Sequence, residues 1–390
     1  MWLSDLTLVL PDRVVPAGAL RIENGVIVEI SETPVAGHGL GAGLTAFPGF
    51  IDMHGDMIEQ EIEPRVQVDF PMNVALNALD VRLAAAGVTT AYAAVSFSKG
   101  ARNGERRSFD HTSEVIRALK AAKSHARVDH RIHARFDITF TAAIDALEGL
   151  LRDGMVDLVS VMDHTPGQGQ YRNLERHIEL RAAHHNISLE EARAKVQERI
   201  DAATPGEEVL HNLQTVSRLC REAGVALASH DDDTADKGQL MADLGAVISE
   251  FPVTLEAAQA VSARGMMTAM GAPNAMRGQS YSGNLSARDA QAAGLLHILA
   301  ADYHPAAILP AIRNLTKSDP NGLAGAARLA SANPAQALGF SDRGEIALGK
   351  RADLALVDQS DRVVATLREG RVIYSNGIVQ PSLHQGFAAA

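Results

Sequence analysis

The stretch FPGFIDMHGDMIE, residues 47–59, sets an apolar run behind a Pro-Gly turn and ends it in two residues with metal-binding side chains, His54 and Asp56. Residues two apart on a strand point to the same face, so this imidazole and carboxylate converge on one point. Two readings stand for the pair: ligands of a metal, or a polar pair at a strand end. What surrounds the stretch decides between them.

Further along, the same design recurs. VTTAYAAVSF, RIHARFDIT, VDLVSVMDH, GVALASHDD, GAVISEF, MMTAMGAPN and LHILAADYHP are short apolar strands. Amphipathic helical patterns such as SEVIRALKAAKSHA and EEVLHNLQTVSRLCREAG lie between them. Eight strands alternating with helices predict a (β/α)8 barrel of the α/β class rather than an open sheet. The charged, His-bearing segment from Tyr171 to Gly206 reads as helical excursions after the fourth strand. Short strand signals with turns between them occupy both chain ends, DLTLVL and VVPAGALRIENGVIVEI at the start, GEIALGKRADLALVD and VVATLREGRVIY at the close. The expectation is a small β-sandwich built from residues 1–46 and 340–390, with the barrel spanning 47–339.

Composition narrows the class. The 390 residues carry 36 basic and 47 acidic side chains, a net charge of −11, which argues against a general nucleic-acid or anionic-membrane surface. No apolar run approaches a membrane span, and MWLSDLTLVLPDRVVPAG lacks the basic start and long apolar core of a signal peptide. Cys220 is the single cysteine, so no disulfide forms within the chain; the cytoplasm is the expected compartment.

Barrel active sites form at the carboxyl ends of the strands. Here those ends carry His54 and Asp56; His133, Arg135 and Asp137; Asp163 and His164; His230 to Asp233; and Asp302. Each alone has a plain reading, a hydrogen-bonded strand end or, for Asp231 to Asp233, a helix N-cap cluster. Five such ends falling together point to a metal site with imidazole and carboxylate donors, a set that suits zinc, manganese or iron. Arg135 is either an ion-pair partner of Asp137 or a bidentate phosphate clamp. MGAPNAMRGQSYSGN, 270–284, reads as a Gly- and Asn-rich loop whose amides, with Arg277, cradle an anion. His111, His125, His130, His184 and His185 read as surface residues, and Cys220 as a packing residue.

These residues resemble the amidohydrolase superfamily, metal-dependent barrels whose chain ends form a β-sandwich. FPGFIDMHGD looks like its first-strand motif, and SANPAQALGFSDRGEIALGKRADLALVD, 331–358, like its closing segment. Within the superfamily, GFIDMHGDMIE, LAAAGVTT, HARFDI, SVMDHTPGQGQY, ASHDDDT, SEFPVTLEAA, MGAPNAMRGQSYSGN and ILAADYHP are similar to the α-D-ribose 1-methylphosphonate 5-triphosphate diphosphatases of the carbon–phosphorus lyase pathway. That group resembles this chain in having His-x-Asp where most amidohydrolases have His-x-His. One departure is Tyr281 in YSGN, where the group tends to have histidine; tyrosine still donates a hydrogen bond.

The resemblance implies hydrolysis of a phosphorylated sugar phosphonate, a ribose 5-triphosphate, to the 5-monophosphate and pyrophosphate. It implies one or two divalent ions, zinc first, with manganese and iron as alternatives, on His54, Asp56, His164 and His230. Asp137 stands in if a second ion lacks the carboxylated lysine that bridges many two-metal members. Asp302 is the implied proton acceptor and a further ligand. Arg135, Asn274, Arg277, Tyr281 and Asn284 are the implied substrate contacts. Dimers are common among such barrels, and nothing in the sequence marks an interface. The competing activity is hydrolysis of a cyclic amide or an N-acyl compound on the same metals.

Overall fold

The computed structural model describes residues 1–37, 41–65, 68–97, 109–280 and 283–377. Its first strands are β1 (Trp2–Val9), β2 (Val14–Glu23), β3 (Val26–Ser31) and β4 (Leu44–Pro48). At the other end of the chain lie β13 (Leu354–Val357), β14 (Val363–Arg368) and β15 (Arg371–Ser375). These make one seven-stranded mixed sheet, ordered β15-β14-β13-β4-β1-β2-β3. Its inner face buries Leu3, Leu6, Leu8, Leu20, Ile27, Leu354 and Leu367, the apolar residues that the alternating pattern of both ends supplies.

Between them run β5 (Phe50–Gly55), β6 (Val88–Phe97), β7 (Asp129–Asp137), β8 (Leu158–Met162), β9 (Ala226–His230), β10 (Ala246–Glu250), β11 (Met267–Gly271) and β12 (Ile298–Ala300). Each pairs in parallel with the next to give an eight-stranded sheet in chain order. Its two edges meet where the Asp302 amide donates to the His54 carbonyl at 2.9 Å and the Asp56 amide to the Asp302 carbonyl at 2.7 Å. The sheet therefore rolls into a barrel with helices outside, as the strand–helix alternation requires. Most of its strands are buried almost end to end, because helices cover one face and the barrel interior the other.

Met53, Tyr92, Leu158, Ala228, Ile248, Ala269, Ile298 and Ala300 fill the barrel interior. This plug sets the depth of the site, since Ala228 and Ile248 are followed two residues on by His230 and Glu250. β5 departs from strict alternation: its register against β6 shifts between Asp52 and Gly55. Such a bulge re-aims side chains, and here both Met53 and the adjacent His54 reach the interior side.

Gly87 links the barrel to the end sheet. Its φ of +85° favours glycine, and a Cβ there would lie 2.9 Å from Ala355 Cβ and 3.0 Å from the Phe50 ring. The chain passes this tight corner only without a side chain.

Three expectations are corrected. His130 is not a surface residue: β7 begins at Asp129, and the imidazole is buried with Nε2 3.0 Å from Asp80 Oδ1. The 270–284 segment is not loop throughout, because Ala272–Arg277 forms a helix with Pro273 in its first turn and Gly278 closing it at φ +81°. Asp231 to Asp233 do not cap the next helix; Thr234 does, accepting from the Lys237 amide, while Asp232 accepts from Ser229 and Ser249 and ties β9 to β10.

Candidate metal centre

Above the plug, three donors converge from three strands. Ligand atoms of His54, His230 and Glu250, all buried, lie within 4.8 Å of one another. A second group, His164, His230 and Asp231, meets the same limit and shares His230 with the first. His133 closes the inner side, with Nε2 2.8 Å from Ser160 Oγ and 3.5 Å from Glu250 Oε1.

Charge and burial in the first group are unusual. Glu250 has no exposed surface; burial alone raises a carboxylate, yet His133, His54 and His230 hold it down at about 2. Burial drives His133 the other way, to about 3, against the pull of Glu250, so that ring stays neutral. His54 Nδ1 sits 3.2 Å from Glu250 Oε2. Nevertheless His54 Nδ1, both nitrogens of His230 and both oxygens of Glu250 are buried without a directed hydrogen bond. Buried polar atoms are ordinarily bonded; His54 Nδ1 lies 3.2 Å from Glu250 Oε2 and His230 Nδ1 3.0 Å from Asp231 Oδ2, and a cation among these imidazoles and carboxylates would satisfy them together. The donors suit zinc and its borderline neighbours. The residues present therefore fit a divalent ion.

The remaining expected residues take separate places. Asp56 lies just past β5, its Oδ1 4.0 Å from His54 Nε2, and both its oxygens accept from Arg135 Nη1 at 2.6 and 2.7 Å. The buried Arg135 thus pairs with Asp56, not with Asp137 two residues along its own strand. Asp137 accepts from the Thr139 amide and hydroxyl, its carboxyl raised by burial, and belongs to neither donor group. Asp302 stands at the barrel seam with its carboxyl likewise raised by burial. Gly271 makes room for it, since a Cβ there would come within 3.1 Å of Asp302 Oδ2. Asn274 Oδ1 accepts from the Ala287 amide, which holds the loop rather than facing outward. Arg277 is exposed, Asn284 is half-buried, and Tyr281 lies outside the described residues.

Glu250 was not among the sequence-based ligands. VISEF reads as an apolar strand with a charged end, and the available signal was the period of two that sets Glu250 over Ile248. No lysine of the described residues sits on a barrel strand, so the carboxylates of Glu250 and Asp231 are the anionic donors at hand.

An eight-stranded parallel barrel with such donors at its carboxyl-end mouth has the architecture of a (β/α)8 barrel enzyme. The amidohydrolase family model matches residues 45–374, and the chain belongs to that family. It is 37% identical over 369 residues to the alpha-D-ribose 1-methylphosphonate 5-triphosphate diphosphatase of Escherichia coli strain K12, covering 93% of this chain and 96% of that protein. Among solved structures it resembles 5-methylcytosine deaminase from Klebsiella pneumoniae liganded with 5-fluorocytosine, at a TM-score of 0.65 and 15% identity, covering 96% and 98% of the two chains. N-acetyl-D-glucosamine-6-phosphate deacetylase from Mycobacterium smegmatis aligns at a TM-score of 0.62 with 16% identity, covering 96% and 99%. At those identities the structural likeness speaks for the fold alone. Among the described residues no helix is long and apolar enough to cross a membrane.

Proposed function

We propose that this chain hydrolyses α-D-ribose 1-methylphosphonate 5-triphosphate to the 5-phosphate and pyrophosphate, a step in phosphonate breakdown. The observation that carries this reading is the near-full-length similarity to the diphosphatase, 37% over 93% of the chain. The donor cluster at the barrel mouth supports it.

His54, His230 and Glu250 would hold a divalent ion, with His164 and Asp231 beside it as further donors. When bound, such an ion acidifies water and draws charge from phosphoryl oxygens. The chain's own residues supply the rest. Asp302, whose carboxyl burial already makes more basic, takes the proton of the attacking water. That water adds to the α-phosphorus as the bridging P–O bond breaks in line, and pyrophosphate leaves. Arg135, buried and fixed through Asp56, and Arg277 at the rim stabilise charge on the phosphoryl oxygens.

A phosphorus NMR time course tests the reading on metal-loaded protein, with and without chelator. Metal-dependent release of pyrophosphate is expected; orthophosphate would place attack at the terminal phosphorus. No cleavage by metal-loaded protein would refute the proposal and turn attention to amide substrates. Asp302→Asn should lower kcat by about 10²–10⁴-fold with KM little changed.

A further inference from the structure

Beside the metal centre, the helical excursion after β8 carries positive charge that the protein does not neutralise. Helix Leu174–His185 places His177 and Arg181 four residues apart on one face, and helix Leu189–Asp201 brings Arg199 to the same place. The two helices pack through Ile178, Ala182, Ala192 and Val196, a small core of their own. On the outer faces every partner is present: Arg176 pairs with Glu179, Arg193 with Glu175 and Lys195 with Glu191. Arg181 and Arg199, by contrast, form no ion pair with any carboxylate of the described residues, and each repels the other.

The cluster opens onto the site. Arg199 Nη2 donates to the His164 carbonyl at 2.9 Å. The Tyr171 ring stands 6.0 Å from His164 and 4.1 Å from His177, bridging donor group and cations. Arg181 Nε and His177 Nε2 are buried without a hydrogen bond. Burial, then the charges of Arg199 and Arg181, push His177 down to about 4, so it remains a neutral ring among cations. Arg199 feels the charge of Asp137, and Asp163 acts on that same carboxyl.

Arg181 keeps one buried donor unused, Arg199 stands exposed beside it with no carboxylate partner, and the planar fork of each matches phosphate oxygens, so an anion would complete both. We propose that Arg181, Arg199, His177 and Tyr171 form a polyanion subsite that grips the two outer phosphates of a triphosphorylated substrate, the part that departs as pyrophosphate. The identity of that ligand rests on the diphosphatase reading above; the existence of the subsite does not.

Titration calorimetry with inorganic pyrophosphate on the metal-loaded full chain tests it. Wild-type protein should bind; Arg181→Gln and Arg199→Gln should bind at least tenfold more weakly, Arg181→Lys in between. Arg176→Gln, which alters a paired surface charge on the same helix, should match wild type. Steady-state KM for the ribose triphosphate should rise at least tenfold in Arg181→Gln. If Arg181→Gln fails to fold by circular dichroism, Arg181→Lys and Arg199→Gln carry the comparison. Pyrophosphate affinity equal to wild type in the glutamine variants overturns the subsite, as does cleavage of the ribose triphosphate by Arg181→Gln with wild-type KM, which leaves the diphosphatase reading standing. Conversely, loss of pyrophosphate binding in a protein that never cleaves the triphosphate upholds the subsite and sinks the activity.

Discussion

Replacing Glu250 with glutamine separates a functional carboxylate from a structural one. The side chain has no exposed surface, and in the metal-free protein its charge is held by the field of His133, His54 and His230 around it. Removing one member of such a buried set commonly destabilises, by up to about 3–5 kcal/mol where the partners are full charges. With metal the loss deepens. Even partners of ligands contribute about 10–100-fold to affinity, and Glu250 is the only anionic donor of its group, so a loss of about 100-fold is expected. At free metal about 1,000 times the wild-type Kd, binding adds about 4.1 kcal/mol to wild-type stability, against about 1.4 kcal/mol after a hundredfold loss. Urea unfolding with and without metal, together with metal content after dialysis, gives both quantities. Glu250→Gln should be destabilised by about 2–3 kcal/mol more with metal than without it. Equal metal content in the two proteins, or equal destabilisation in both conditions, would refute the reasoning.

Asp80 predicts a pH effect remote from the site. Burial raises its carboxyl, but His130 and the Val128 and Arg127 amides bring it from 3.8 down to about 2. A depressed carboxyl stabilises the fold above its unfolded value and loses that contribution as pH falls through the folded one. Wild type should therefore lose about 2 kcal/mol between about pH 5 and pH 2 that Asp80→Asn does not lose, as read from urea midpoints across that range. Gly87→Ala should cost about 2–4 kcal/mol, because a left-handed backbone and a Cβ 2.9 Å from Ala355 Cβ act together; an unchanged denaturation midpoint would show that the barrel–sheet contact gives way freely.

Much of the barrel was legible because each strand is a short apolar run closed by a turn, and because donors recur at the run ends. What escaped notice depends on pairings distant in sequence. Arg135 and Asp137 share a strand face, but two residues of strand separate them by about 6.6 Å, whereas Asp56 reaches over from the end of β5 to 2.6 Å. His130 looked exposed because β7 opens on polar residues; its partner Asp80 comes from the helix Met72–Ala85, which nothing local announces. Glu250 was hidden for a related reason. A lone acid at a strand end reads as solvated until neighbouring strands bring two imidazoles to it.

The mouth also shows how the backbone keeps those donors aimed inward. Asp231, Phe251 and Asp302 are left-handed, at φ of 54°, 53° and 57°, and they follow the ends of β9, β10 and β12. Each still donates its amide to the adjoining strand: Asp231 to the Glu250 carbonyl, Phe251 to Ala269 and Asp302 to His54. The ladder thus runs one rung past the donor before the chain turns away, which fixes His230 and Glu250 while freeing the mouth above them. Aspartate tolerates this conformation; phenylalanine does so rarely, at a cost of about 1–2 kcal/mol. Its ring accounts for its presence, standing edge-on 4.9 Å from His54 and 5.4 Å from His230. Glycine would relax the backbone and leave both imidazoles without that wall. Strain is tolerated at this position because it places an apolar surface against two rings whose orientation the donor set depends on.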